Sequence, residues 1–161
     1  MSSLLPRVPW DAFFQRWTWN QGEHLTIVGP TGTGKSTLMR ALLQKRYEAG
    51  GAVCVFGTKT EDRTLSTWLR EDGLTRVESW PPRWPGRWWD RPRGNEWTHK
   101  VMLWPRIKST ADVRALGPTF GHALDEMFVA RRWCVAIDEL WYQSAEMGLD
   151  HELKSWWSQG R

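Results

Sequence analysis

Apolar residues along this chain fall into two alternating patterns. Residues 24–28, 52–56, 101–104 and 133–137 form short, nearly continuous apolar runs, the pattern of strands buried on both faces of a parallel sheet. Between them the apolar positions return every three or four residues. This spacing predicts a helix from Leu38 to about Ala49, stopped by Gly50-Gly51, and another carrying Leu65, Trp68 and Leu69, closed by Gly73. A third opens at Ser109-Thr110-Ala111-Asp112 in a capping-box pattern and carries Phe120, Leu124, Met127 and Phe128 on one face. A last helix carries Leu149, Leu153, Trp156 and Trp157. Residues 75–80 read as a short extended piece. Residues 10–20 place Trp10, Phe13, Phe14 and Trp17 at helical spacing, and two uses stand open for these aromatics: stacking on a base or packing against the sheet edge. Strands alternating with helices predict an α/β fold with a mainly parallel sheet between two helical layers.

The turn that follows the first run carries the first chemical signal. Gly29-Pro30-Thr31-Gly32-Thr33-Gly34-Lys35-Ser36-Thr37 lies between an expected strand and an expected helix, the setting of a phosphate-binding P-loop. Gly29, Gly32 and Gly34 allow backbone turns closed to other residues, so that successive N–H groups converge on phosphate oxygens at the positive end of the helix. Lys35 then reaches the β- and γ-phosphates, and the Ser36 hydroxyl enters the magnesium shell. Thr37 either touches the α-phosphate or only starts the helix. The expected ligands are ATP and Mg2+.

A second signal decides the fate of the nucleotide. The run Trp133-Cys134-Val135-Ala136-Ile137 ends in Asp138-Glu139, which reads as a buried strand delivering two acids to the carboxyl edge of the sheet, the Walker B arrangement. Asp138 is expected to hold the metal through its water shell. Glu139 is expected to orient and deprotonate the attacking water, with Lys35 as its catalytic companion at the phosphates. Adjacent acids favour hydrolysis over phosphoryl transfer to a small molecule, the alternative being a kinase with an arginine-rich lid or a nucleotide-binding fragment without turnover.

Composition narrows the class. At 161 residues the chain suits one P-loop ATPase domain, 1–161, rather than two domains. A net charge of +4 raises the prospect of an acidic partner, duplex DNA among them. Cys54 and Cys134 fall inside expected strands and read as small core residues, with no zinc spacing. No apolar stretch approaches the roughly 18 residues of a membrane span, and the first ten residues lack the pattern of a signal peptide, so a cytoplasmic protein is expected. The 14 tryptophans are an excess with two competing origins, site or core use and codon composition. Several of them fall in the Trp/Pro/Arg-rich stretch 80–97, expected to be an exposed loop. There Arg83, Arg87, Arg91 and Arg93 alternate with Trp84, Trp88 and Trp89, either to bind nucleic acid or to fold back on the domain.

The Gly-Pro-Thr-Gly-Thr-Gly-Lys-Ser-Thr loop, the Asp-Glu strand and a final helix running into Gly160-Arg161 together resemble the FtsK/HerA superfamily of DNA-pumping ATPases, including phage and plasmid-transfer relatives. The resemblance implies a motor that couples ATP hydrolysis to DNA translocation or packaging as a homo-oligomeric ring, commonly of six subunits. It implies the same roles for Lys35, Ser36, Asp138 and Glu139, and an arginine supplied in trans, for which Arg131, Arg132 and Arg161 are candidates. In that superfamily a further strand lies between the P-loop strand and the Walker B strand. Its absence here leads to the expectation of a chain interrupted at its C-terminus, or else of a sheet in which those two strands pair directly. A transporter ATPase is disfavoured, since no Leu-Ser-Gly-Gly-Gln pentapeptide precedes residue 133.

Overall fold

A computed structural model describes residues 8–18, 23–82, 99–131 and 133–159. Four strands, β1 (Ala52–Phe56), β2 (Thr75–Val77), β3 (Lys100–Leu103) and β4 (Trp133–Ile137), form one sheet in the order β2-β3-β1-β4, every neighbouring pair parallel. Among the described residues six helices accompany them: α1 (Trp10–Arg16), α2 (Lys35–Glu48), α3 (Arg63–Glu71), α4 (Thr110–Ala130), α5 (Leu140–Ala145) and α6 (Asp150–Gln159). The α/β class read from the periodicity is the class observed.

Strand β1 is central and wholly buried, and its alternation divides the core. Cys54 and Phe56 join Val101 and Leu103 of β3 against Phe120, Leu124 and Met127 of α4 and Leu149 before α6. On the other face Val53, Val55 and Met102 meet Leu43 of α2 and Leu65 and Trp68 of α3. Trp68, Trp80 and Trp104 are buried, so core packing accounts for part of the tryptophan excess. Both thiols are free and sit in strands; burial pushes the Cys54 thiol up to about 12 and that of Cys134 up to about 11, which keeps them inert.

Helix ends follow local chemistry. The Ser109 hydroxyl accepts from the Asp112 N–H, and the Asp112 carboxylate accepts from the Ser109 N–H at 2.9 Å, closing the capping box at the start of α4. Gly50 and Gly73, after α2 and α3, adopt positive φ of 81° and 67°.

Three expectations are corrected. Residues 24–28 form no strand, and Leu25 and Val28 are exposed, Val28 at 86 %. A run becomes a strand only when its backbone enters a ladder, and residues 24–28 enter none, although β4, at the end of the sheet beside β1, keeps an open outer edge. Direct pairing of the P-loop segment with the Walker B strand is therefore not realised. Helix α1 buries none of its residues. Its aromatics meet one another, with Phe13 5.3 Å from Phe14 and 5.2 Å from Trp17 between ring centres, instead of packing on the sheet edge. Finally, the extended reading of 75–80 holds as a strand only for β2, where Val77 is followed by a bend toward buried Trp80. No helix among the described residues is long and apolar enough to cross a membrane.

Candidate functional site

The two sequence signals are brought to one edge of the sheet by simple lengths. Helix α2 has 14 residues and returns through Ala49-Gly50-Gly51 into β1, so it runs antiparallel to a strand of 5 residues. About 21 Å of helix against about 17 Å of strand sets the P-loop at the carboxyl ends of the strands. Helix α2 packs on both β1 and β4. Strand β4 ends at that same edge, and the register Phe56↔Ile137 places Gly57 and the residues after it beside Asp138 and Glu139.

The loop itself has the expected backbone. Gly32 and Gly34 take φ of 80° and 86°, conformations open to glycine, and a side chain at Gly29 would approach the Thr33 hydroxyl to 2.9 Å. Thr33 caps the turn by donating to the Pro30 carbonyl at 2.7 Å. The Lys35 ammonium donates to the Gly29 and Pro30 carbonyls, each at 2.8 Å, and so lies across the loop. Lys35, Ser36 and Thr37 form the first turn of α2, with Pro30 and Thr31 exposed before them. A glycine-rich turn at a helix start with a lysine ammonium lying across it carries the kinds of donor a triphosphate needs.

The acids are held by a strained turn. Glu139 takes φ 56° and ψ 53°, left-handed for a residue with a side chain, and its N–H donates to Asp138 Oδ1 at 3.1 Å. Behind the turn, Gln143 of α5 is fully buried and donates to the Asp138 carbonyl at 3.2 Å, while its own N–H reaches the Glu139 carbonyl. Both carboxylates are about half exposed, at 41 % and 48 % of the side chain, so water and a hydrated metal reach them.

Lys59 completes the site and is the residue that sequence reasoning missed. It stands in the loop after β1, with its ammonium 2.9 Å from Glu139 Oε1 and 3.8 Å from Asp138 Oδ2. Its hydrogen bond to Glu139, and then the charges of Glu139, Asp138 and Asp62, raise its pKa above the usual lysine value. No local pattern in Gly57-Thr58-Lys59-Thr60 marks it; only the β1–β4 register could have done so.

The other candidates lie apart. Arg131 ends α4 at the amino edge of β4. Arg132 and Arg161 lie outside the described residues, as do residues 83–98, which hold the arginines and nearly all of the loop expected at 80–97.

Residues 15–113 match the ABC transporter family. The chain belongs to that family. This corrects the expectation drawn from the missing Leu-Ser-Gly-Gly-Gln pentapeptide: the match lies wholly before β4 and rests on the half of the chain that carries the P-loop. Within the chain, 46 residues are 44 % identical to the phosphonates import ATP-binding protein PhnC of Caulobacter vibrioides, covering 27 % of the chain and 17 % of that protein. The chain thus spans well under two thirds of the length of the curated relative it matches. No solved structure matches. ATP and Mg2+ are the ligands of ATP-binding domains of this family, and the glycine turn at 29–37 with the Lys35 ammonium across it fits them.

Proposed function

We propose that this domain hydrolyses ATP to power a transport assembly, with Gly29 to Thr37 enclosing the phosphates and Lys35 neutralising the β- and γ-oxygens. Ser36 and Asp138 hold the magnesium ion, which when bound draws charge off the γ-phosphate. Glu139, at the carboxyl end of β4 on a left-handed backbone anchored by Gln143, accepts the proton of the attacking water. One observation carries the reading: α2, which packs on β1 and β4, and β4 itself deliver a cation-bearing glycine loop and an acid pair to the same edge of the sheet. The family match and the import ATPase relative support transport as the work performed.

A second reading, movement of duplex DNA by an oligomeric FtsK/HerA-like ring, is favoured by the net charge of +4 and the arginines and tryptophans of 80–97. Phosphate release measured with and without duplex DNA separates the two. Hydrolysis that is lost in Lys35→Ala and indifferent to DNA is expected for the transport reading. Stimulation by DNA moves the assignment to the second, and then replacing Arg83, Arg87, Arg91 and Arg93 should reduce the log-affinity against log-salt slope by about 0.9 per lost phosphate contact. A chain that neither binds nor hydrolyses ATP would overturn both.

A further inference from the structure

Lys59 does more than border the acids. Its ammonium is ringed by three carboxylates, Glu139 at 2.9 Å and Asp138 and Asp62 at 3.8 Å each. Nor is its backbone free to wander. Trp104 Nε1 donates to the Lys59 carbonyl at 2.7 Å, and the Gly57 N–H donates to the Leu103 carbonyl at 3.0 Å. The indole of Trp104 fills the space a side chain at Gly57 would need, with its ring 2.7 Å from that position. Arg76 packs over the same indole, 4.6 Å from a ring centre, and donates to the Trp104 carbonyl at 2.9 Å. The loop is thus fixed to β3, while the long side chain, 42 % exposed, keeps its reach toward β4.

A lysine ammonium and a hydrated divalent ion that use the same carboxylates exclude one another in part, because each satisfies the charge that attracts the other. We propose that Lys59 is a positioning residue of the hydrolytic site, occupying the Asp138–Glu139 pair until a nucleotide–magnesium complex displaces it. This rests on the reading of Asp138 and Glu139 as metal holder and base. Its consequence is a guarded site: between turnovers the ammonium occupies the Glu139 carboxylate, and binding of the metal nucleotide releases it.

The test uses the full chain, a fluorescent ADP analogue and a magnesium titration. In Lys59→Gln the magnesium concentration for half-maximal nucleotide binding should fall by about three- to tenfold, as expected for losing exposed ion pairs of this kind. Lys59→Arg retains the charge and should keep the midpoint near that of the unmodified protein. Added salt should shrink the difference, since the pairs are open to solvent. In a chain already carrying Asp138→Asn and Glu139→Gln, Lys59→Gln should produce no further shift. Equal midpoints in Lys59→Gln and the unmodified protein would overturn the proposal, and so would a higher midpoint in Lys59→Gln, which would make the lysine an aid to binding and not a competitor. Absence of magnesium-dependent nucleotide binding in the unmodified protein defeats the hydrolytic reading itself, a result visible before any substitution is made.

Discussion

Glu139 is a glutamate where the backbone would prefer glycine, and left-handed geometry costs such a residue on the order of 1–2 kcal/mol. Nothing in its burial offsets that cost, since the side chain is half exposed; the turn is held instead by Gln143 from behind and Lys59 from the front. Strain of this kind at an acid beside a phosphate loop is the expected mark of a residue kept for chemistry. Lys35 and Glu139 should then fail differently. Lys35→Ala removes a charge-assisted contact and should weaken nucleotide affinity by roughly ten- to a hundredfold. Glu139→Gln preserves shape but not basicity, so turnover should fall by about 10²–10⁴ with binding retained. Nucleotide titration beside single-turnover hydrolysis checks both, and equal affinity in Lys35→Ala and the unmodified protein would remove the phosphate assignment. Both residues were legible in the sequence because motif spacing encodes them. Lys59 was not, since its partner Glu139 lies far along the chain, and Gln143 was not, although Asp138 and Glu139 lie only five and four residues before it, because α5 is too short to announce itself.

At the scale of elements, legibility followed whether the determining contacts are local. The capping box of α4 was readable because its donors and acceptors lie within four residues, as the bonds from the Lys108 and Ser109 N–H groups to Asp112 Oδ2, at 2.8 and 2.9 Å, confirm. Helix α5, with the sequence LWYQSA, was missed because six residues are too few to display a period. Residues 24–28 were misread for the opposite reason: their apolar run is strand-like, but a run becomes a strand only by pairing, and local sequence does not record whether it will pair with an open edge such as that of β4. The capping box gives a pH test. The two backbone donors hold the Asp112 carboxyl below the usual carboxylate value, so its folded pKa is lower than its unfolded one. Its contribution is complete above the unfolded value of about 3.9 and disappears as pH falls through the lower folded value. Asp112→Asn should therefore melt below the unmodified protein at pH 7 and converge with it in acid. Ser109→Ala, which removes the other half of the box, should cost about 1 kcal/mol at pH 7. A constant difference for Asp112→Asn across the whole range would refute the linkage.

Across the whole molecule, the sheet separates two edges with different duties. Everything assigned to the nucleotide lies at the carboxyl ends of β1 and β4, whereas Arg131 lies at the amino end of β4, five strand residues away from Asp138. Five residues of parallel strand span about 17 Å, far beyond what an arginine side chain crosses along a packed sheet, so Arg131 cannot reach the γ-phosphate of its own subunit. It is exposed, and it takes the left-handed conformation of φ 57° that turns the chain from α4 into β4. Any role in stabilising transferred phosphate must therefore be played on a neighbouring copy, in which a guanidinium at the γ-phosphate supplies charge the parent site lacks. Complementation distinguishes this from a purely structural turn. Arg131→Ala and Glu139→Gln should each hydrolyse ATP poorly alone, and a mixture should recover activity where an intact acid pair of one subunit meets the intact arginine of the other. With random mixing in a dimer, half of the assemblies are mixed, and each holds one site with both groups intact, so about a quarter of all sites become active if the sites act independently. Turnover in the mixture that equals the mean of the two variants at every ratio would confine Arg131 to the α4–β4 turn and leave catalysis within a single subunit.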